Sequence, residues 1–254
     1  MTVLAIETAT KQLGVAAVDG EQVLASYELL AEYPHAVELP AAVTRVLQSA
    51  RVALKDLAAI AVDVGPGSFT GLRIGLAFVK ALAFATKVPL IGVPSLDVLA
   101  ANVSFAPLPV CPLLDAKQKN LYAAWYRPEH GRWTRTTDYL LGPADDVLAR
   151  AKEPTLFLGD GILLYRERIL QRCPKAQFAP QELWLPRAAT LGRLALERLA
   201  AGQTDDPAKL VPLYLYPKDC QVRGPNRPTS VLSRQESPES RGLPPTSQPV
   251  AKPA

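Results

Sequence analysis

The sequence of 254 residues predicts an α/β fold made of two similar halves. The first observation is that short apolar runs typical of buried strands alternate with longer segments whose apolar residues recur at helical spacing. The second is an internal repeat: a strand ending in an acid, a polar turn, a second strand, a further turn and a third strand occur near the N-terminus and again after Pro109. The repeat places Glu7 and Asp115 at equivalent positions.

The first half is predicted to begin with three antiparallel strands. A polar turn over 8–11 joins the first two strands into a hairpin, and Asp19 and Gly20 make a tight turn into the third. Helices and strands alternate after that point. The predicted elements are strands over 2–7, 12–18 and 22–29, a helix over 36–50, a strand over 57–64, a helix over 71–86, a strand over 90–93 and a helix that begins at Ser95.

The second half is predicted to repeat the strand pattern and then to become mainly helical. Its predicted elements are strands over 110–114, 121–126 and 132–140, a helix over 143–151, a strand over 155–158, helices over 162–171 and 188–201, and a closing segment over 210–216. These elements predict an N-terminal lobe over 1–105 and a C-terminal lobe over 106–217.

Residues 218–254 differ in composition from the rest of the chain. Seven of the 24 prolines lie within 221–254, together with serine, arginine and glycine and few large apolar residues. Such a segment cannot bury enough apolar surface to offset the entropy lost on ordering. We therefore predict a disordered tail.

The remaining composition is that of an ordinary globular protein, with 48% hydrophobic and 20% charged residues. No uninterrupted apolar run reaches the roughly 18 residues of a membrane span, and no basic segment precedes a hydrophobic one at the N-terminus. We expect a cytoplasmic protein without a membrane segment. The net charge of +4 falls mostly within 221–254, so it is weak evidence for a nucleic-acid surface on the folded part.

Cysteine and histidine usage gives little basis for a metal site. Cys111, Cys173 and Cys220 are far apart and form no Cys-x-x-Cys pair, which favours reduced structural thiols. His35 and His130 are the only histidines. We expect no bound metal.

The stretch Gly-Pro-Gly-Ser-Phe-Thr-Gly-Leu-Arg-Ile-Gly over 65–75 lies between a predicted buried strand and a long apolar helix. Its glycines break the strand, and Ser68 or Thr70 can cap the helix. A glycine turn at a helix N-terminus can hold an anion, or it can serve only to let helix and strand pack closely; both interpretations stay open. The candidates for anion or nucleotide contact are Gly65, Pro66, Gly67, Ser68, Phe69, Thr70, Gly71 and Arg73.

Three known motifs are excluded by spacing. A dinucleotide fingerprint requires a third glycine where Thr70 stands, and a P-loop requires a Gly-Lys-Ser/Thr ending that is absent. A hydrolase nucleophile elbow requires glycines two residues either side of Ser68, and Pro66 and Thr70 occupy those positions.

Several segments carry a resemblance to a known family. The stretch over 65–75 resembles the signature of the TsaB family, also called YeaZ, and Leu-Ala-Ile-Glu-Thr-Ala-Thr over 4–10 is similar to that family's opening. Further similarity lies at His35, Glu38 and Pro40, over 114–116 and over 211–215, so the resemblance covers roughly residues 1–217. Lys117 and Tyr216 stand where that family has arginine, and the proline-rich tail is outside its pattern.

The resemblance implies an actin-like and Hsp70-like ATPase (ASKHA) fold, with two duplicated RNase H-like lobes and mixed sheets. It leaves room for the last helix of the second lobe to pack back on the first. In that superfamily, turns equivalent to 8–11 and 116–120 hold phosphates, and the acids before them position a metal-bound nucleotide in catalytic members. Glu7, Thr8, Thr10 and Asp115 are therefore interpreted as a relic of a phosphate-binding site without activity, or simply as capped strand ends.

The resemblance also implies a non-catalytic subunit of the complex that makes N6-threonylcarbamoyladenosine at position 37 of tRNA. The catalytic partner TsaD has two histidines four residues apart on one helix, whereas His35 here is followed at that spacing by Leu39. A helix over 71–86 that is apolar nearly all round can be covered by its own chain or by a partner. The resemblance favours a partner, and the predicted interface residues are His35, Glu38, Leu39, Val43, Leu72, Ile74, Leu76, Val79, Lys80 and Ala83.

The implied partners are a TsaD-like catalytic subunit, a TsaE-like ATPase and, through the complex, tRNA. A homodimer of the isolated chain is compatible with a self-complementary apolar face. No cofactor is expected beyond weak nucleotide binding at the partner boundary. Two alternatives are a self-sufficient actin-like ATP-dependent kinase or transferase that uses Glu7 and Asp115 around Mg–ATP, and a metallopeptidase-like protein, against which the two scattered histidines argue.

Overall fold

The first half is built on a five-stranded sheet in the computed structural model, which describes residues 1–30, 35–129 and 132–216. The strands are β1 (Thr2–Glu7), β2 (Gln12–Asp19), β3 (Gln22–Leu30), β4 (Ala59–Gly65) and β5 (Leu90–Pro94). Their order across the sheet is β3-β2-β1-β4-β5. The first three strands are antiparallel, whereas β4 and β5 run parallel to β1 because helices connect them.

Helices cover both faces of this sheet. One face packs against α1 (His35–Ala50) and α2 (Phe69–Thr86), and a short 3₁₀ turn (Leu54–Asp56) connects α1 to β4. The other face packs against α3 (Ser95–Ala101) and against a helix that follows much later in the chain, Ala188–Ala200. The last helix of the second half therefore completes the core of the first.

The second half repeats the same sheet topology. Its strands include β6 (Val110–Asp115), β7 (Asn120–Ala123) and β10 (Leu140–Pro143), which are antiparallel neighbours, and β11 (Leu156–Leu158) and β12 (Gln177–Phe178), which run parallel to β6. The order β10-β7-β6-β11-β12 matches that of the first sheet. Strands β8 (Tyr126–Glu129) and β9 (Arg132–Arg135) form a side hairpin attached to β6. The helices are α4 (Ala144–Leu148), α5 (Ile162–Arg172) and α6 (Ala188–Ala200), with a 3₁₀ turn at Gln181–Leu183.

The predicted α/β fold with two similar halves is confirmed, but the strands after β6 differ from the prediction. The predicted strand over 121–126 is divided into β7 and β8, because Trp125 turns away from the sheet and exchanges hydrogen bonds with Thr136 and Thr137. The predicted third strand over 132–140 is wrong: its first part is β9 of the side hairpin, and the true third strand of the sheet is β10. The two-residue strand β12 was not predicted.

The segment over 205–216, here called the C-terminal strap, lies against both halves without forming a helix or a long strand. Asp205 N donates to Leu90 O at 2.7 Å, and Leu213 N donates to Val64 O at 2.7 Å. At its end, Tyr216 Oη donates to Ala116 O at 2.8 Å in the second half. The strap thus connects the edge of the first sheet to the turn between β6 and β7.

Some predictions lie outside the described residues or stay untested. His130, Cys220 and the predicted disordered tail over 218–254 lie outside the described residues, and the lobe boundaries near residue 105 stay a prediction. Helix α2, with 18 residues and a mean hydropathy of 1.4, is long and apolar enough to cross a membrane by length and composition alone. This is weak evidence, because helices in the core of a folded protein meet the same criteria.

Candidate functional site

The 65–75 stretch forms a loop and the first turns of α2, and it packs on the turn between β1 and β2. Ser68 caps α2, because its Oγ accepts a hydrogen bond from Gly71 N at 3.2 Å. Thr70, the alternative cap, lies inside the helix. Ser68 N donates to Ala9 O at 2.7 Å. One of the free N–H groups near the helix N-terminus is therefore already bound to the β1–β2 turn.

Three glycines of this stretch are required for that close approach. A Cβ atom added to Gly67 would lie 2.3 Å from Ala9 O, and one added to Gly71 would lie 2.0 Å from Thr8 O. At Gly75 the Cβ would lie 2.2 Å from Thr8 Oγ1. These distances are far below van der Waals contact, so any side chain there would push α2 off the turn. The close-packing interpretation accounts for these glycines, whereas anion contact by the loop stays a prediction.

Two acidic side chains lie side by side and fully buried under this loop. Glu7 ends β1 and Asp63 lies in β4, and the parallel register that pairs Ile6 with Val62 brings the two carboxyl groups to the same face of the sheet. Glu7 Oε1 accepts from Ala9 N at 2.7 Å. Asp63 Oδ1 accepts from Gly65 N at 2.7 Å and from Ser95 Oγ at 2.6 Å.

The remaining oxygen of each carboxyl group, Glu7 Oε2 and Asp63 Oδ2, is buried without a hydrogen-bond donor. Burial and the neighbouring Asp63 raise the pKa of Glu7 well above its usual range, and burial also raises the pKa of Asp63. Because two adjacent buried carboxylates repel each other, we infer that the folded pair keeps one shared proton above the ordinary pH range of carboxyl titration. Glu7 is further covered by α6, since Gly14 lies between Glu7 and Ala188, and a Cβ added there would lie 3.2 Å from Glu7 Cβ and 3.1 Å from Ala188 Cβ.

The second half has an equivalent pair of acids, but it is more open. Asp115 ends β6 as Glu7 ends β1, and Asp160 comes directly after β11, whereas Asp63 lies two residues before the end of β4. Asp160 Oδ1 accepts from Asp115 N at 2.9 Å, and burial raises the pKa of Asp160. Asp115 Oδ1 accepts from Lys117 N at 2.9 Å, and Lys117 Nζ lies 2.5 Å from Asp115 Oδ2. Lys117 thus forms an ion pair with Asp115, the more accessible acid of this pair.

The other two residues of the predicted relic site belong to the β1–β2 turn. Thr8 is fully buried, and its Oγ1 faces Gly75 without a hydrogen-bond partner. Thr10 Oγ1 accepts from Gln12 N at 3.2 Å, which closes the turn. In this chain the turn is covered by its own α2.

The structure corrects the interface prediction for six residues. Leu39, Val43, Leu76, Val79 and Ala83 are buried in the core between the first sheet and helices α1 and α2, and Leu72 is buried against Gly65 at the end of β4. The large residues at helical spacing on α2 form its core-facing stripe, and the periodicity of the sequence could not tell this face from the opposite one. Of the predicted interface residues on α2, only Ile74 and Lys80 are partly exposed.

The outward face of α2 is apolar but made of different residues. Ala77, Ala81 and Phe84 recur on it at helical spacing and are exposed, and Phe84 is 77% exposed. Ile74 and Phe78 are partly exposed at its margin. This set, here called the α2 outer face, covers most of the length of the helix.

The N-terminal end of the α2 outer face meets the C-terminal strap. Arg73 Nε donates to Tyr214 Oη at 3.0 Å, and its guanidinium group lies 3.8 Å from the centroid of the Phe69 ring. The Phe69 and Tyr214 rings are 5.4 Å apart. Phe69 and Tyr214 are 54% and 44% exposed, so this cluster presents two aromatic rings beside the apolar face.

The two predicted polar interface residues of α1 are held by neighbours in the first half. His35 Nε2 donates to Thr10 O at 2.9 Å, which ties the start of α1 to the β1–β2 turn. Glu38 Oε1 accepts from Tyr27 Oη at 2.9 Å and from Arg45 at 2.8 Å. Within the described residues, no group of three or more His, Cys, Asp or Glu side chains could hold a metal ion.

Sequence reasoning missed Asp63, Asp160 and Tyr214. Asp63 lies near the end of a buried strand and Asp160 comes directly after one, which is similar to the signal that identified Glu7 and Asp115. Comparison of the later strands of the two halves could have found them. Tyr214 had no usable signal, because its contact with Arg73 joins residues far apart in the chain.

Comparison with known proteins gives consistent matches over most of the chain. A family model described as "TsaD: tRNA N6-adenosine threonylcarbamoyltransferase" matches residues 29–221. The Bacillus subtilis (strain 168) protein named "tRNA threonylcarbamoyladenosine biosynthesis protein TsaB" is 32% identical over 88% of this chain and 97% of its own length. The Escherichia coli (strain K12) protein of the same name is 29% identical over 85% of this chain and 94% of its own length. The solved structure "YeaZ from Pseudomonas aeruginosa" matches 84% of this chain and 99% of its own, with a TM-score of 0.74 and 30% identity.

Two sheets of identical strand order, each with acids at the ends of its first and fourth strands, define an actin-like ATPase fold made of two RNase H-like lobes. This is the fold class that the sequence predicted. Within that class, the chain belongs to the TsaB family, as the resemblance implied.

Proposed function

We propose that this chain is a non-catalytic subunit in tRNA threonylcarbamoyladenosine biosynthesis. It docks on a TsaD-like catalytic subunit, stabilises the active form of that subunit, and leaves to it the transfer of the threonylcarbamoyl group to adenosine 37 of tRNA. The names of the relatives from B. subtilis and E. coli support the pathway, and the family model supports kinship with the catalytic subunit itself.

The observation that carries the docking proposal is the α2 outer face. Ala77 and Ala81 are small enough to let a partner helix approach closely, and Phe84 and Ile74 offer larger apolar contacts beside them. No described residue of this chain covers Phe84, apart from Lys87, whose Nζ lies 4.5 Å from its ring centroid. An apolar helix face of this kind is typical of a protein interface, and a specific complex would bury about 1,000 Å² or more.

The absence of catalysis is supported by the burial of the first acid pair. An acid that positions a metal-bound nucleotide has to reach the ligand, whereas Glu7 and Asp63 are fully buried under α2, α3 and α6. The β1–β2 turn, which would hold phosphates, is covered by α2, which packs closely on it through Gly71 and Gly75. We therefore propose that a TsaE-like ATPase supplies nucleotide hydrolysis, and that tRNA is modified by the catalytic subunit. The α2 outer face would also serve a homodimer when that subunit is absent.

The docking proposal is tested by co-purification with the TsaD-like subunit. The variants Ala81→Glu and Phe84→Glu place a charge at the centre of the contact, so we expect the complex to be lost on size-exclusion chromatography, with an affinity decrease of at least about 100-fold. Leu163→Glu and Leu164→Glu are matched controls, because these side chains are 67% and 63% exposed on α5. Circular dichroism should be unchanged in all four variants. If Ala81→Glu and Phe84→Glu bind the catalytic subunit as tightly as the controls do, the proposed interface is wrong.

The competing function, a self-sufficient actin-like kinase or transferase, is tested on the isolated chain. Titration calorimetry with Mg–ATP should show no micromolar binding, and no ADP should form, because Glu7, one of the two acids required for the metal, is fully buried. ADP formation that Glu7→Gln abolishes would establish the competing function.

A further inference from the structure

A cavity of about 460 Å³ lies in the second half, between the side hairpin β8–β9 and the loop that joins α4 to β11. Its lining includes the basic residues Arg127, Arg150 and Lys152 and the hydroxyl-bearing residues Thr136 and Thr137. None of its lining residues belongs to α1 or α2. The cavity is therefore separate from the α2 outer face.

Backbone hydrogen bonds hold both walls of the cavity in place. On one wall, Thr136 N donates to Trp125 O at 2.8 Å, and Trp125 N donates to Thr137 Oγ1 at 3.1 Å. On the other, Arg150 N donates to Val147 O at 3.2 Å, which continues α4 by a further turn. Since these bonds do not depend on a ligand, the cavity is preformed, as binding sites usually are.

The charge of the lining is positive and only partly neutralised. Arg127 forms an ion pair with Glu153, which is the single acid among the described residues that line the cavity. Arg150 and Lys152 form no ion pair with any residue in the described part of the chain, although both side chains are exposed to it. The Thr137 hydroxyl accepts from Trp125 N and so keeps its own proton free to donate.

We propose that this cavity binds phosphate groups of an RNA strand. Guanidinium and ammonium groups around a concave, hydroxyl-bearing surface suit phosphate oxygens, because arginine donates to them in a fork and lysine contributes a point charge. The inference rests on the proposed function in one respect, namely that tRNA is the substrate that the complex handles. It assigns to this chain a direct contact with the sugar-phosphate backbone, which would help to orient the tRNA on the catalytic subunit without reading its sequence.

The test measures binding of a fluorescently labelled tRNA anticodon stem-loop to the full-length chain at several salt concentrations. The double variant Arg150→Gln/Lys152→Gln should lower the slope of log affinity against log salt by about two, roughly one for each lost phosphate contact. The control Lys55→Gln/Lys175→Gln removes the same charge at exposed sites that do not line the cavity, and should leave the slope unchanged. Glu153→Gln should strengthen binding, because it removes the acid that competes for Arg127. The basic tail is present in every variant, so its contribution cancels in these differences.

Absence of salt-dependent binding by the unaltered chain, or equal slope changes in the two double variants, would overturn the inference. So would displacement of the RNA by polyglutamate at the concentration at which polyphosphate displaces it, because the site would then select acidic peptides as well as phosphate.

The inference and the proposed function fail separately. Arg150→Gln/Lys152→Gln should still co-purify with the TsaD-like subunit, and Phe84→Glu should still bind the stem-loop with the slope of the unaltered chain. Loss of subunit docking with retention of RNA binding bears only on the proposed function. Loss of RNA binding with retention of subunit docking bears only on the cavity inference.

Discussion

Glu7 and Asp63 show how a pair of acidic side chains can be accommodated in a buried core. Three hydrogen bonds from Ala9, Gly65 and Ser95 satisfy one oxygen of each carboxyl group. The two remaining oxygens have no donor except the proton of the other carboxyl group. The pair is therefore stable in the core only while it holds that proton, and the stability of the fold becomes linked to pH.

This linkage predicts a definite sign. Because burial raises the pKa of Glu7 in the folded chain, the folded state holds a proton that the unfolded state releases above its ordinary carboxyl pKa. The free energy of unfolding should therefore fall as pH rises from about 4.5 through the raised pKa. Glu7→Gln should remove most of this slope and raise stability at pH 8 by roughly 1–3 kcal/mol, because the amide donates to Asp63 without a titratable proton.

Urea unfolding at a series of pH values measures this effect. Glu182→Gln is the control, because Glu182 is an exposed carboxyl group and should leave the pH slope of the unaltered chain intact. An equal slope in Glu7→Gln and Glu182→Gln would show that the buried pair does not share a proton.

At the level of elements, α2 uses its small residues for two different purposes. Gly71 and Gly75 face inward and bring the helix against the β1–β2 turn. Ala77 and Ala81 face outward and leave a shallow apolar surface. The large residues Leu76 and Val79 pack in the core against the sheet, so one helix joins the core to the proposed docking surface.

The inward contact predicts a measurable coupling. Gly75→Ala should destabilise the chain by roughly 1–3 kcal/mol, because its Cβ would overlap Thr8 Oγ1. In the double variant Thr8→Ala/Gly75→Ala the overlapping hydroxyl is gone, so the loss should be smaller than the sum of the two single changes. Chemical denaturation of the four proteins gives the coupling energy. Gly142→Ala, whose Cβ would meet nothing within 4 Å, should change stability by less than about 1 kcal/mol. Additive effects at Gly75 and Thr8 would contradict the packing described for this turn.

Elements with a strong local signal were predicted from the sequence, and those that depend on distant contacts were not. The short apolar runs of β1 and β2, the periodicity of α1 and the glycine break before α2 are local, and each element was placed within a few residues. The division of 121–140 into β7, β8, β9 and β10 depends on hydrogen bonds between Trp125 and Thr136–Thr137, which no short window contains. The predicted orientation of α2 was wrong for a related reason. Because the helix is apolar on both sides, its sequence pattern does not indicate which side packs on its own sheet.

At the scale of the whole molecule, Asp97 of α3 joins the first half to the second. Its carboxylate accepts hydrogen bonds from Tyr126 Oη at 2.6 Å and from Tyr139 Oη at 2.8 Å. Burial raises the pKa of Asp97 even though these hydroxyls favour its charged form. The same burial raises the pKa of both tyrosines. The three side chains form a polar contact that fixes α3 against β8 and the segment before β10.

Removal of this carboxylate should weaken the whole molecule. Asp97→Ala leaves two buried hydroxyl groups without an acceptor, with an expected loss of roughly 1–3 kcal/mol, whereas Asp97→Asn keeps one acceptor and should lose less. The three tryptophans, Trp125, Trp133 and Trp184, all lie in the second half, so their fluorescence reports on that half while circular dichroism reports on both. We expect the two urea transitions of Asp97→Ala to shift together to lower concentration. Unchanged midpoints would show that Asp97 does not couple the halves.

The packing of α6 and the C-terminal strap has a consequence for synthesis of the chain. Leu191 and Ala195 of α6 cover one face of the first sheet. Leu213 N donates a hydrogen bond to Val64 O of β4. These residues leave the ribosome more than ninety residues after the strands they cover. One apolar face of the N-terminal sheet therefore stays exposed to water until α6 has been synthesised. We expect a chaperone to bind the nascent chain at this stage, before Ala188 has emerged.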